Sequence, residues 1–81
     1  MKLVFSSRFD RSLADSPPAV RRAFWKQAEF LLVNLQHPSL RAKKYDESRA
    51  IWQARVTRDW RFYFRIVADE YQLIDIMAHP K

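Results

Sequence analysis

The apolar positions Val20, Phe24, Ala28, Leu31 and Leu35 recur at steps of four, four, three and four, the spacing of one helical face. Trp25 and Leu32 widen this stripe, and the pattern predicts an amphipathic helix from Pro17-Pro18 to about Leu35. Its N-terminus has Ser16 as a candidate cap and prolines in a first turn that has no hydrogen bond to lose. Arg21, Arg22, Lys26 and Glu29 fall on the outer side. His37-Pro38-Ser39 ends the helix, because a residue preceding proline is pushed out of the α region. Upstream, Lys2 to Ser6 reads as a short strand. Ser7 to Ala14 reads as a short helix with Phe9 and Leu13 one turn apart, preceded by serines able to cap it.

The last third changes period. Alternation of apolar and polar residues predicts three strands, about Ala50 to Thr57, Trp60 to Val67 and Glu70 to Ala78. Arg58-Asp59 and Ala68-Asp69 are the connections between them, and links this short require antiparallel neighbours. Leu40 to Glu47, polar and rich in lysine, reads as a loop. Together these elements predict an α+β fold: an N-terminal strand and two helices packed on one face of a mainly antiparallel four-stranded sheet, in a single domain over residues 1–81. Strand parity places Trp52, Ala54, Val56, Trp60, Phe62, Phe64, Ile66, Ile74 and Ile76 against the long helix. The opposite face then shows Gln53, Arg55 and Thr57, next Arg61, Tyr63 and Arg65, and last Tyr71, Leu73, Asp75 and Met77. The chain has no glycine, so Asp59 and Asp69 are expected to supply any left-handed turn geometry.

Composition narrows the possibilities. Nearly half of the residues are hydrophobic (48%) and 15% are aromatic, too many for a disordered chain. Without cysteine there is no disulfide and no thiolate metal site, and the two histidines lie too far apart in sequence for ligand spacing, so neither a metal nor another cofactor is expected. No glycine-rich phosphate loop can form, and no serine sits in a nucleophile elbow. The first residues lack the apolar run of a secretion signal, and no stretch is long enough for a membrane span. A cytoplasmic protein is expected.

The net charge is +6, and its distribution matters more than its size. From Pro38 to Ile66, eight basic residues (Arg41, Lys43, Lys44, Arg49, Arg55, Arg58, Arg61, Arg65) meet three acidic ones (Asp46, Glu47, Asp59), so this segment carries +5. A cluster of that kind points to a polyanionic partner, whose phosphates release counterions on meeting arginine and lysine. Arg55 and Arg61 fall side by side on adjacent strands, either neutralised by Asp59, Asp75 or a glutamate, or forming a phosphate clamp suited to the planar guanidinium. His79 follows the last strand and has the side chain best suited to proton transfer near neutrality. Arg41, Lys43 and Lys44 lie on the loop feeding the sheet. His37 fits a helix-stopping turn. Tyr63, Tyr71 and Trp60 can stack on bases or pack the sheet.

The order of elements, the connection Pro38-Ser39-Leu40-Arg41-Ala42-Lys43-Lys44, the stretches Ile51-Trp52-Gln53-Ala54-Arg55-Val56 and Trp60-Arg61-Phe62-Tyr63-Phe64, and the ending Ile76-Met77-Ala78-His79-Pro80-Lys81 together resemble the RelE/ParE toxin superfamily over nearly the whole chain. The resemblance implies a toxin of a type II toxin-antitoxin system. In the RNA-cleaving branch, such toxins cut mRNA on the ribosome without metal by helping the 2′-hydroxyl attack the adjacent phosphate. By resemblance Arg61 takes the place of the strand arginine that stabilises the phosphate, and His79 that of a C-terminal acid-base histidine. Arg55 matches a basic residue of the preceding strand, and Lys43 and Lys44 match the RNA-contacting loop. Arg41, Arg65, Tyr63 and Lys81 complete the expected RNA-binding set. The loop departs from the family pattern in having no carboxylate at its usual base position, with Asp46 and Glu47 nearby. The resemblance also implies a cognate antitoxin, acidic in its binding segment, and the ribosome and mRNA as partners. The ParE branch has the same fold but inhibits DNA gyrase, which gives an alternative reading; a non-catalytic RNA-binding module is a third.

Overall fold

The computed structural model describes residues 1–79. β1 (Lys2–Phe5) leads into α1 (Ser7–Ala14) and α2 (Pro18–Val33); a 3-10 turn (Pro38–Leu40) precedes β2 (Lys43–Asp46), β3 (Ile51–Thr57), β4 (Trp60–Val67) and β5 (Glu70–Ala78). The sheet has five strands in the order β1-β5-β4-β3-β2. β1 runs parallel to β5 and the other pairings are antiparallel.

The fifth strand corrects the expectation of four. Lys43-Lys44-Tyr45-Asp46 was expected to be loop, and it pairs instead with Ile51 to Gln53 as an edge strand. Its four residues alternate no apolar positions, and lysines on an edge are a common defence against strand-to-strand aggregation. The signal that marks an interior strand is therefore missing from its sequence.

Local chemistry accounts for the helix boundaries. The Ser6 hydroxyl caps α1 by accepting the Phe9 N–H at 3.0 Å, and it donates to the Ile74 carbonyl at 3.1 Å, which fixes the helix start to β5. Ser16, expected to cap α2, instead donates to the Ser12 carbonyl at 2.8 Å. The N-cap of α2 is Pro17, which offers no side-chain acceptor. Asn34 ends α2 in extended backbone, one residue short of Leu35, which packs partly buried against the core. Asn34 and not His37 therefore stops the helix, and His37 caps the 3-10 turn instead: its ring stacks on Phe30 with centroids 3.8 Å apart, and its Nδ1 accepts the Ser39 N–H.

The core lies between the two helices and one face of the sheet. Phe24 of α2 packs edge-on to Phe62 of β4 (5.3 Å) and against Phe9 of α1 (5.0 Å); Phe62 continues to Phe64, and Phe64 to Tyr71. Aromatic pairs of this geometry contribute beyond the area they bury. Gln27, buried on the same helix, donates through Nε2 to the carbonyls of Ser39 (2.9 Å) and Arg55 (2.8 Å). β2 starts opposite Gln53, so it does not reach Arg55. The Gln27 amide takes the place of the missing strand there. Trp25 and Leu32 do not join the buried stripe as expected: Trp25 is half-exposed and touches Phe5 edge-on, and Leu32 is exposed.

Strand parity fails at one bulge. Tyr63 pairs with Asp75 but Phe64 pairs with Leu73, so Ile74 is an extra residue in β5. Tyr71 and Leu73, expected on the open face, are therefore buried in the core, while Ile74 lies with the open-face residues Tyr63 and Met77. An inserted residue reverses every side chain beyond it. A second offset, at Val56, pairs Thr57 with Trp60. The left-handed backbone positions are Arg41, Ala50 and Ala68 among the described residues, and Asp59 and Asp69 are not among them. No helix of the described residues is long and apolar enough to cross a membrane.

Candidate nucleic-acid interface

β3, β4 and β5 set the open face as a grid. One row runs Met77, Arg61, Arg55, each the direct cross-strand partner of the next; the row beside it runs Asp75, Tyr63, Gln53 and Lys43. Directly paired residues on one face have Cβ atoms about 5 Å apart, so Arg55 and Arg61 form a pair of cations at side-chain contact range. Among the described residues no carboxylate lies within ion-pair distance of Arg55, Arg61 or Arg65. Asp75, one of the candidate neutralisers, is taken by Arg8 at the start of α1 (3.3 Å) and accepts the Ile76 N–H at 2.9 Å.

Two of the three strand arginines are held in place by backbone carbonyls. One terminal nitrogen of Arg61 donates to Thr57 (2.8 Å), Trp60 (2.9 Å) and Arg58 (3.2 Å), gathering the carbonyls of the β3-β4 turn. That leaves Nε and the other amino group of Arg61 without a partner among the described residues. Arg65 donates through Nε to Arg49 (3.1 Å) in the β2-β3 turn. The Arg55 guanidinium has no hydrogen bond or ion pair among the described residues. The face thus combines fixed charge at Arg61 and Arg65 with an Arg55 cation that has no partner among the described residues, and fixed charge stabilises an anion without a reorganisation cost.

His79 comes to the same turn. Its backbone N–H donates to the Asp59 carbonyl at 2.6 Å, next to the Arg58 carbonyl that Arg61 holds. The ring is exposed and lies two residues beyond Met77, the direct partner of Arg61. Lys81 lies outside the described residues.

The lysine segment divides between the two faces. Lys43 pairs with Gln53 on the arginine side, whereas Lys44 pairs with Trp52, and its ammonium sits 5.2 Å from the Trp52 ring centroid. Lys44 also reaches Glu47 at 3.8 Å. Arg41, exposed and left-handed at φ 46°, precedes β2 and belongs to neither row. Tyr63 is only 8% exposed, and burial raises its hydroxyl pKa. Tyr45 covers it, with ring centroids 5.0 Å apart, and is itself 61% exposed.

Neither a family model nor a curated protein matches the sequence, but solved structures match the fold along its whole length. A YoeB/ParE toxin from Agrobacterium tumefaciens superposes with a TM-score of 0.81 at 14% identity, covering 99% of this chain and 100% of that one. A chain of the archaeal RelE-RelB complex from Pyrococcus horikoshii OT3 gives 0.80 at 13% identity, covering 99% and 96%. The YoeB dimer from Staphylococcus aureus gives 0.80 at 8% identity, covering 99% and 98%. The fold is that of the RelE/ParE toxins.

Within this RelE/ParE fold three carboxylates near the arginine face, those of Asp46, Glu47 and Asp75, are engaged. Asp46 accepts the Ser48 hydroxyl (2.8 Å) and the Arg49 N–H (3.2 Å) and lies 3.6 Å from the Arg49 side chain. The Ser48 bond first, then the Arg49 bond, holds its pKa below the usual carboxylate value. That is the pattern of a turn-forming aspartate and makes a weak base. Glu47 pairs with Lys44 away from Arg61. Reading the sequence missed Tyr45, Arg8 and Gln27. The first could be found only by recognising β2, since strand register is what sets Tyr45 over Tyr63; the other two act through tertiary contacts that carry no local pattern.

Proposed function

We propose that this chain is the toxin of a type II toxin-antitoxin pair and acts as a metal-independent, ribosome-associated endoribonuclease on mRNA. The observation that carries the reading is the convergence of Arg61 and His79 on adjacent residues of one turn, beside Arg55 on a face without a neutralising carboxylate among the described residues. The ribose 2′-hydroxyl gives up its proton to solvent water as its oxygen attacks the neighbouring phosphorus, which forms one P–O bond and breaks the P–O5′ bond. The products are a 2′,3′-cyclic phosphate and a 5′-hydroxyl. Arg61, with its free N–H groups, and Arg55 meet the charge that builds on the phosphoryl oxygens. His79 delivers a proton to the departing 5′ oxygen. Arg65, Lys43 and Arg41 position the RNA backbone, which carries no sequence information in itself.

Solved structures of similar fold include a RelE-RelB complex and a YoeB-YefM complex, which supports a cognate antitoxin as partner here. Its binding segment is acidic, matching the cationic face it covers. The engaged state of Asp46, Glu47 and Asp75 favours a second reading, in which the same face binds a target without cutting it, as a ParE-like inhibitor of DNA gyrase. Inducing the chain without its partner separates the two: the ribonuclease reading expects translation to fail first, with mRNA fragments bearing cyclic phosphate ends, and loss of plasmid supercoiling with intact mRNA establishes the other.

A further inference from the structure

Beside the arginine row lies a shallow depression of about 190 Å³ whose floor includes Tyr63, Ile51, Ile74 and Met77 and whose lip is Tyr45, with the Arg8-Asp75 ion pair at one end. Apart from that ion pair its lining is apolar and aromatic, in contrast to the cationic row beside it. We infer that this ledge is a stacking site for one unpaired nucleobase, with the exposed Tyr45 ring as the platform. The inference rests on the nucleic-acid reading of the face and deepens it.

Three features carry it. First, Tyr45 is large, aromatic and 61% exposed on an edge strand. Its edge-on contact with the buried Tyr63, at 5.0 Å and 64°, fixes the platform ring. Second, the depression is smaller than a site for a drug-sized ligand and of the order needed for a single flat ring system. Third, charge brackets it. Tyr63 lies between Arg61 and Arg65 on β4, each two residues away and therefore about 7 Å along the strand. A base on the ledge has guanidinium groups on both sides for its flanking phosphates. An aromatic platform within a cationic groove is the arrangement that holds single strands with little regard to sequence, because every base has a π face. Ile74 completes the floor only because the β5 bulge turns it outward.

The test uses the full chain and a labelled 2′-O-methyl uridine hexamer, which cannot be cut by 2′-oxygen attack, beside the same backbone made abasic. Tyr45→Ala is expected to weaken binding of the hexamer about tenfold, to leave the abasic strand unaffected, and to leave the fold intact by circular dichroism. Tyr45→Trp is expected to retain wild-type affinity. If the hexamer binds and Tyr45→Ala does not weaken it, or weakens the abasic strand equally, the stacking inference is overturned and the nucleic-acid reading stands. If wild type binds neither strand at low salt, both are overturned. If Tyr45→Ala releases only an acidic, tryptophan-bearing peptide, the ledge belongs to a protein partner and the inference is overturned.

Discussion

Arg55 and Arg61 stand directly opposite one another on neighbouring antiparallel strands, yet of the two only Arg61 has its guanidinium bonded to the chain's own backbone among the described residues. Their substitutions should therefore separate stability from binding. Arg61→Ala removes the donor that gathers three turn carbonyls and is expected to cost about 1–2 kcal/mol in urea unfolding. Arg55→Ala should change stability by less than about 0.5 kcal/mol, while lowering the slope of log affinity for single-stranded RNA against log salt by about 1. Equal effects of the two on stability would contradict the assignment.

Gln27 gives a second expectation. Gln27→Leu fills the position with an apolar side chain but leaves the carbonyls of Ser39 and Arg55 without their donor. A buried acceptor left unpaired is costly, and the substitution is expected to destabilise the fold by about 2 kcal/mol. Hydrogen exchange should show faster opening at β3 beyond Gln53, past the residue that faces the start of β2.

A third concerns the turn between β4 and β5. Ala68 sits at φ 54° in the two-residue link that joins the paired residues Val67 and Glu70. A side chain at positive φ costs about 1–2 kcal/mol, partly offset by the entropy that glycine loses on folding. Ala68→Gly is expected to stabilise the protein by about 0.5–1 kcal/mol in urea unfolding, and Asp69→Gly is not.

Asp46 yields a pH expectation with a definite sign. Its pKa in the fold lies below the unfolded value, through the Ser48 hydroxyl first and the Arg49 N–H next. Its contribution to stability is therefore present above the unfolded pKa and lost as pH falls through the lower folded one. Asp46→Asn should flatten the acid side of the stability profile below about pH 4. It should leave RNA cleavage close to wild type, because the carboxylate serves the turn and not the reacting hydroxyl. A large loss of cleavage with unchanged stability would make Asp46 the base.

Much of this molecule was legible in its residues. The four-four-three-four spacing of α2 and the alternation from Ile51 to Ala78 are enforced by burial against one core, so the helix, the meander and the arginine face could be read directly. β2 could not, because an edge strand of Lys-Lys-Tyr-Asp buries little and follows no period. Tyr71, Leu73 and Ile74 were misplaced because counting by twos assumes an unbroken ladder, and the bulge at Ile74 breaks it. The left-handed conformations of Ala50 and Ala68 escaped notice because alanine carries no preference for that region. At the site, residue types pointed to Arg55, Arg61 and His79, but the bonds from Arg61 to its turn and the cover of Tyr45 over Tyr63 are tertiary relationships.

The central claim is that Arg61 and His79 act together on an RNA phosphate, and it is tested most directly by adding purified chain to ribosomes translating a defined mRNA and mapping the new 3′ ends. The account predicts cuts that carry 2′,3′-cyclic phosphate and are lost with His79→Ala while that variant keeps wild-type RNA affinity. Intact mRNA with the wild-type chain, or cleavage unchanged by His79→Ala, would contradict it.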